Sequence, residues 1–226
     1  MNKKHFLKEP KVALWKKNIV DSGCKIYKIN PLCLIHKKNG ELLFALCETK
    51  IKDKDNKVLP KYIFIRGHAV IIIPLIINIK TRENRFLMIK QRRIGNGKVN
   101  LEFPAGMLDR NINNIKETAK KEFFEETGLT IFKKDLFLLH DGPLYSSPGA
   151  SDEGIFYYGC IITVSDKEFS SLEGRRTGSS LEGENIVVTL KTKNQIISET
   201  TSLQARLGLY LFEDYVKKNC QNIKIT

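Results

Sequence analysis

Apolar positions along the chain fall into short runs and alternations typical of strands, broken by turns, with helical periodicity in a few stretches. Residues 24–36 (CKIYKINPLCLIH) and 42–48 (LLFALCE) read as two strands joined by the turn Lys37-Lys38-Asn39-Gly40. The segment Lys50–Lys57 reads as a charged surface loop. From Tyr62 to Ile77 apolar residues dominate, with an interruption at Arg66-Gly67, and the run from Ala69 to Ile77 predicts a buried strand. Further strands are expected at 86–91, 99–103, 136–140, 155–163 and 185–190. Ile115, Ala119 and Phe123 recur every four residues and mark the buried side of a helix that Gly128 stops. Asn114 and Glu117 have the spacing of a capping box at its start. A short helix near 191–197 and a final one over about 201–217, with Leu203, Leu207, Tyr210 and Leu211 on one side, complete the pattern. Strands before, between and after helices predict an α/β fold: an α/β/α sandwich on a mixed sheet.

Residues 1 to about 20 read as a helical or irregular lead-in with Trp15 as an anchor. The first quarter of the chain is too small for a secure core of its own. The expected organisation is therefore a small β-rich extension, 1–61, leaning on the main domain or on a second subunit, and a domain over 62–226. The extension is the expected dimerisation region.

Composition narrows the classes. An apolar fraction of 42% in 226 residues suffices for a core. There is no uncharged apolar run long enough for a membrane helix, and the first residues lack an apolar signal core. Five scattered cysteines without CxxC spacing suit a reducing, cytoplasmic setting and argue against a zinc site. The formal net charge of +13 fits nucleic acid, a membrane surface or a small anionic substrate. The lysines are spread along the chain, within a Lys/Asn/Ile bias that resembles A- and T-rich coding, so the charge favours the small substrate over a nucleic-acid partner.

The chemistry concentrates between Glu102 and Leu129. Glu122, Glu125 and Glu126 occupy offsets of zero, three and four, one face of a helix. Pro104-Ala105-Gly106 ahead of them is a tight loop whose backbone can approach a ligand. An acidic triplet alone is ordinarily a solvated helix face. Like charges on one turn call for a cation, and carboxylate oxygens suit Mg²⁺ or Mn²⁺, with substrate phosphates completing the shell.

Glycine loop, carboxylate helix and closing glycine follow in order within the 23 residues from Gly106 to Gly128. The stretch Lys121-Glu122-Phe123-Phe124-Glu125-Glu126-Thr127-Gly128-Leu129 resembles the second half of the Nudix box, G-x5-E-x7-R-E-U-x-E-E-x-G-U with U aliphatic. It departs from that pattern in three ways. The glycine-to-glycine spacing is one residue longer, Ile112 or Asn113 falls where an early glutamate is expected, and Lys121 replaces arginine. A lysine is a point charge without the bidentate fork. Asp109 or Arg110 is an alternative to Lys121 for orienting the carboxylates.

A second stretch, Ser146-Ser147-Pro148-Gly149-Ala150-Ser151-Asp152-Glu153-Gly154, has the composition of a plain turn. It also resembles the SPGG-(S/T)-x-E loop of the ADP-ribose and ADP-sugar diphosphatase branch of Nudix enzymes, with Glu153 on the loop glutamate and Asp152 beside it. Arg66-Gly67-His68-Ala69 and Gln91-Arg92-Arg93 resemble that branch's strand start and strand end, while His68 reads as structural. Gly174-Arg175-Arg176-Thr177-Gly178 resembles a segment of plant-type ADP-sugar diphosphatases and receives no role.

The resemblance covers roughly 62–215. It implies Mg²⁺ or Mn²⁺ held by Glu122, Glu126 and Glu125 with the Ala105 or Gly106 carbonyl. It also implies substrate contacts from Arg66, Arg93 and Glu102, and acid–base work by Glu153 or Glu125. The expected reaction is hydrolysis of a nucleoside diphosphate sugar, of the ADP-ribose or ADP-glucose type, to a nucleoside monophosphate and a sugar phosphate, in a homodimer. Two alternatives stand beside it: hydrolysis of an RNA cap or other nucleotide, and a non-catalytic nucleotide- or RNA-binding module.

Overall fold

The computed structural model describes residues 3–108, 114–178, 185–220 and 225. The chain divides into two compact units. The first takes the chain up to Ala69, together with Met107, Leu108 and Pro143–Ile155; the second holds Val70–Gly106, Ile115–Gly142 and the chain from Phe156 onward. The first unit thus reaches beyond residue 61, where the extension was expected to end.

In the first unit, α1 (Lys3–Phe6) and α2 (Pro10–Asp21) precede an antiparallel sheet of β1 (Lys25–His36), β2 (Leu42–Lys52) and β3 (Tyr62–Ile65), in that order. Pro10 opens α2, where its missing N–H costs nothing. Strand β1 is an edge strand with three register shifts, one of them following Pro31, a position an edge tolerates. On β2, Ala45, Cys47 and Ile51 alternate into a core with Phe6, Val12, Trp15, Ile29 and Ile65. Trp15 is the anchor expected of it. The segment therefore builds a core of its own, because α2 covers the inner face that the strands alone could not bury. Its outer face exposes Ile35, Leu46, Tyr62 and Phe64 beside the ion pairs of Glu48 with Lys28 and Lys61. Near the end of the unit, β9 (Leu144–Tyr145) pairs with Gly154 and Ile155.

The second unit is an α/β layer structure. Its sheet runs β11 (Arg176–Thr177), β12 (Ile186–Lys191), β5 (Asn84–Arg92), β4 (Ala69–Asn78), β10 (Gly154–Val164), β8 (Phe137–Leu138). Strand β6 (Val99–Glu102) adds to β5, and β7 (Ala105–Met107) to β4. The apolar run of β4 is buried nearly throughout, as expected. Pro74 is accommodated because β4 changes partner along its length: Ile72 N–H donates to the Pro104 carbonyl, and only from Leu75 onward does β4 pair with β5. Helix α3 (Ile115–Thr127) buries Ala119 and Phe123. Helix α5 (Lys193–Glu199) is opened by a Thr192–Gln195 capping box.

Helix α6 (Leu203–Asn219) corrects the expected apolar side. Leu203 and Tyr210 are exposed, and the buried stripe is Ala205, Gly208, Leu209, Phe212 and Val216. Small residues let the helix approach closely; a Cβ on Gly208 would stand 3.1 Å from Ile73. Phe212 then meets Phe86 at 5.4 Å and Phe137 at 5.9 Å, each ring contributing about 1.5–3 kcal/mol by burial. Helix α4 (Asp166–Leu172) and strand β11 were not anticipated. For α4 the signal was there, since Ser165 caps the Glu168 N–H at 3.2 Å.

Candidate functional site: a glycine loop on the carboxylate helix, and a laced arginine–glutamate pair

In the second unit, the residues after β6 turn through Phe103-Pro104 into β7, and α3 returns its carboxylates to that turn. Glu126 is only 3% exposed, and its Oε2 accepts the Ala105 N–H at 2.9 Å. Glu122, one helical turn earlier, lies over Gly106 so closely that a Cβ there would be 2.1 Å from its Cγ and 2.5 Å from its Oε1. Gly106 is glycine because the Glu122 carboxylate occupies the space of a side chain. Two carboxylates thus converge on Ala105-Gly106. Glu125 faces elsewhere, to Lys121 at 3.1 Å on an exposed surface where such a pair contributes a few tenths of a kcal/mol at most. Glu117, expected to close a capping box with Asn114, pairs with Lys120 and Lys133.

The C-terminal end of α3 accounts for all four of its last carbonyls. Gly128 N–H donates to Phe124 O at 2.8 Å and Gly178 N–H to Glu125 O at 3.3 Å. Thr177 Oγ1 donates to Glu126 O at 2.5 Å, and Arg175 Nη1 to Thr127 O at 3.1 Å. A helix leaves these acceptors without internal partners, and a cation there also complements the helix dipole. Gly174–Gly178, to which sequence reasoning gave no role, is the cap of the carboxylate helix. Its spacing of about fifty residues from α3 hides this in the sequence.

Arg93 and Glu102, both expected at the substrate, are brought together. Arg93 Nε and Nη2 donate to Glu102 Oε2 at 3.1 and 2.8 Å. Asp109, Arg110, Ile112 and Asn113 lie outside the described residues.

In the first unit, Arg66 and Glu153 form an ion pair at 3.1 Å. The chain on either side is laced together. Phe64 N–H donates to Ala150 O at 2.8 Å. Asp152 Oδ1 accepts Arg66 N–H at 2.7 Å and Gly67 N–H at 3.1 Å. In return, Gly154 N–H donates to His68 Nδ1 at 3.0 Å. Gly154 has no room for a side chain, since a Cβ would lie 2.9 Å from that nitrogen. The loop is therefore stitched to β3 and the residues after it from Ala150 onward.

Burial holds the Asp152 carboxyl above its ordinary range, against the opposing effect of its amide donors, and holds His68 below 6.5. Cys47, also buried and near Asp152, is pushed up to about 11, which makes it an inert core thiol. Beside these groups lies a cavity of about 400 Å³ lined by Trp15, Ile51, Tyr62, His68, Tyr145 and Asp152, among others.

Comparison with known proteins agrees with the geometry. The NUDIX domain model matches residues 67–168. Over those residues the chain matches the Nudix family. It is 30% identical over 178 residues to Nudix hydrolase 14, chloroplastic, of Arabidopsis thaliana, an alignment covering 75% of this chain and 57% of that protein. The chain thus spans little more than half the length of that relative. Among solved structures it is similar to an ADP compounds hydrolase, with a TM-score of 0.56 and 15% identity, covering 87% of this chain and 98% of the other. That likeness shows the fold, a Nudix-type α/β/α sandwich.

As a seat for a divalent ion, the Nudix loop and helix offer oxygen donors of the right kind. The Glu122 and Glu126 carboxylates meet at the Ala105-Gly106 turn, and Mg²⁺ ordinarily takes one or two protein carboxylates and fills its shell with water and phosphate oxygens. Among the described residues, no three His, Cys, Asp or Glu side chains stand together as a complete ligand set. The fit is to a two-carboxylate site. None of the described helices is long and apolar enough to cross a membrane.

Proposed function

We propose that the chain is a Nudix hydrolase that cleaves the diphosphate bond of a nucleoside diphosphate sugar, of the ADP-ribose or ADP-glucose type, with Mg²⁺ or Mn²⁺. The observation that carries this reading is the convergence of Glu122 and Glu126 on the Ala105-Gly106 turn. In it, Glu122 and Glu126 hold the ion, with the Ala105 carbonyl as a further oxygen. The bound ion supplies charge neutralisation at the phosphates and a more acidic water. Arg66 and Arg93 bind the diphosphate through guanidinium forks, which match phosphate geometry. In doing so they exchange the Glu153 and Glu102 carboxylates for phosphate oxygens. Glu153 accepts the proton of the attacking water, leaving a nucleoside monophosphate and a sugar phosphate. Glu125, paired with Lys121, is the secondary candidate for ion binding or proton transfer. We place the enzyme in the cytoplasm as a homodimer.

A non-catalytic nucleotide-binding module is the competing reading. It is favoured by the fact that Glu153, Glu102 and Glu125 are each already paired with a cation. A panel of ADP-ribose, ADP-glucose, GDP-mannose, NADH and capped RNA, incubated with Mg²⁺ and resolved by product, separates the two. Hydrolysis of a nucleotide sugar that collapses at least tenfold in Glu126→Gln supports the enzyme. Binding without turnover supports the module. A steep fall of binding with salt would point to the polymer.

A further inference from the structure

We infer that Asp152 is a positioning residue, which sets the Arg66–Glu153 pair for the reaction through the backbone amides of Arg66 and Gly67. The inference rests on the hydrolase reading given above, but the geometry behind it lies wholly within the first unit.

Asp152 is 9% exposed and faces the cavity lined by Trp15, Ile51 and Tyr145. Its Oδ1 takes two consecutive amides, Arg66 at 2.7 Å and Gly67 at 3.1 Å, and Oδ2 stands 3.2 Å from the second. The reciprocal bond, Gly154 N–H to His68 Nδ1, requires an unprotonated nitrogen there, so the imidazole is neutral with its proton on Nε2. Each functional side chain is thus bracketed. Arg66 carries one laced amide and precedes another. Glu153 sits between the Asp152 carboxylate and the Gly154 amide. The Arg66 guanidinium and Glu153 carboxylate consequently meet at 3.1 Å on backbone that cannot shift independently.

A plain turn needs only a neutral acceptor at position 152. A carboxylate in this setting is costly, because its charge is desolvated, and burial raises its proton affinity accordingly. What the charge adds is strength and direction: an ionised acceptor binds amides about twice as strongly as a neutral one. Small displacements of a reacting group weigh heavily on rate, so rigidity at this point has a functional use.

The test combines Asp152→Ala, Asp152→Asn, Glu153→Gln and the double variant Asp152→Ala/Glu153→Gln, each read in two ways. Amide hydrogen exchange follows the lacing directly and needs no activity. Exchange at Arg66 and Gly67 is expected to speed at least tenfold in Asp152→Ala, and unchanged exchange overturns the proposal. With the nucleotide sugar and Mg²⁺, kcat is expected to fall about 10- to 100-fold in Asp152→Ala. Because Asp152 acts through Glu153, the same change in the Glu153→Gln background should cost less than about threefold. Full additivity of the two losses means Asp152 supports the fold alone, and overturns the proposal.

Should Asp152→Ala not fold, Asp152→Asn carries the same cycle. It keeps an acceptor oxygen and is expected to lose about 3- to 10-fold in kcat, again only when Glu153 is present. A wild-type chain that hydrolyses no nucleotide sinks the hydrolase reading and the catalytic part of this proposal together. Exchange then still decides whether Asp152 holds the two segments.

Discussion

Adding one methyl group at Gly106 tests the carboxylate site at its tightest point. In Gly106→Ala the new Cβ would lie 2.1 Å from Glu122 Cγ, 2.2 Å from Cδ and 2.5 Å from Oε1. Ordinary carbon contacts are about 3.5–4.0 Å, so the Glu122 side chain must move by more than about 1 Å. It is half-buried and flexible, and can rotate away without breaking α3. Overpacking of this kind costs about 1–3 kcal/mol, which for a chain of this length lowers Tm by about 2–12 °C. The larger effect falls on function. A carboxylate displaced by about 1 Å is expected to raise the Mg²⁺ midpoint and lower kcat by one to two orders of magnitude. The assay is a Mg²⁺ titration of hydrolysis, beside thermal melts of Gly106→Ala, Glu122→Ala and the double variant. Truncating Glu122 removes the atoms in the way, so Gly106→Ala should cost no further stability in that background. A Gly106→Ala enzyme with an unchanged Mg²⁺ midpoint and turnover within threefold of wild type would show that Glu122 does not bind the ion where it lies over the loop.

The cap of α3 gives a second expectation. Thr177→Val and Arg175→Ala each remove a donor from the carbonyls of Glu126 and Thr127, at a cost of about 0.5–2 kcal/mol, and Thr177→Val should also weaken Mg²⁺ binding. Unchanged stability in both would mean water replaces the cap. Acid stability follows from His68, whose folded pKa lies below 6.5 because it is buried. Between those two values the unfolded chain binds more protons, so stability is full above pH 6.5 and is lost as pH falls through the window. Asp152, raised from 3.8, has the opposite slope in its own window: the folded state binds more protons there, so its contribution is lost as pH rises. His68→Gln should therefore flatten the loss of stability just below pH 6.5 in urea unfolding; an undiminished slope refutes the assignment. For assembly, the exposed row of Ile35, Leu46, Tyr62 and Phe64 is expected to pack on a second copy. Leu46→Lys/Phe64→Lys should then halve the mass seen by light scattering, and a wild-type monomer at micromolar concentration rules the dimer out.

The expectations that held best came from local patterns. The apolar run Ala69–Ile77 is a buried strand, Ala119 and Phe123 mark the inner side of α3, and Gly128 closes that helix at φ +72°. Each depends on residues within one or two turns of each other, where spacing along the chain is spacing in space. The apolar side of α6 misled because hydrophobicity says nothing of fit. Gly208 is buried since a side chain there would crowd Ile73, while Leu203 and Tyr210 stay in solvent.

At the site, the sequence by itself determined the inventory: a carboxylate helix, a glycine turn, two arginines and a loop glutamate. It could not determine their pairings. That Arg66 meets Glu153, that Arg93 meets Glu102, and that Thr177 closes the helix carrying Glu126 are contacts between residues 9 to 87 positions apart. They exist because buried amides, carbonyls and charges must find partners once water is excluded, and only the folded chain decides which partners are within reach.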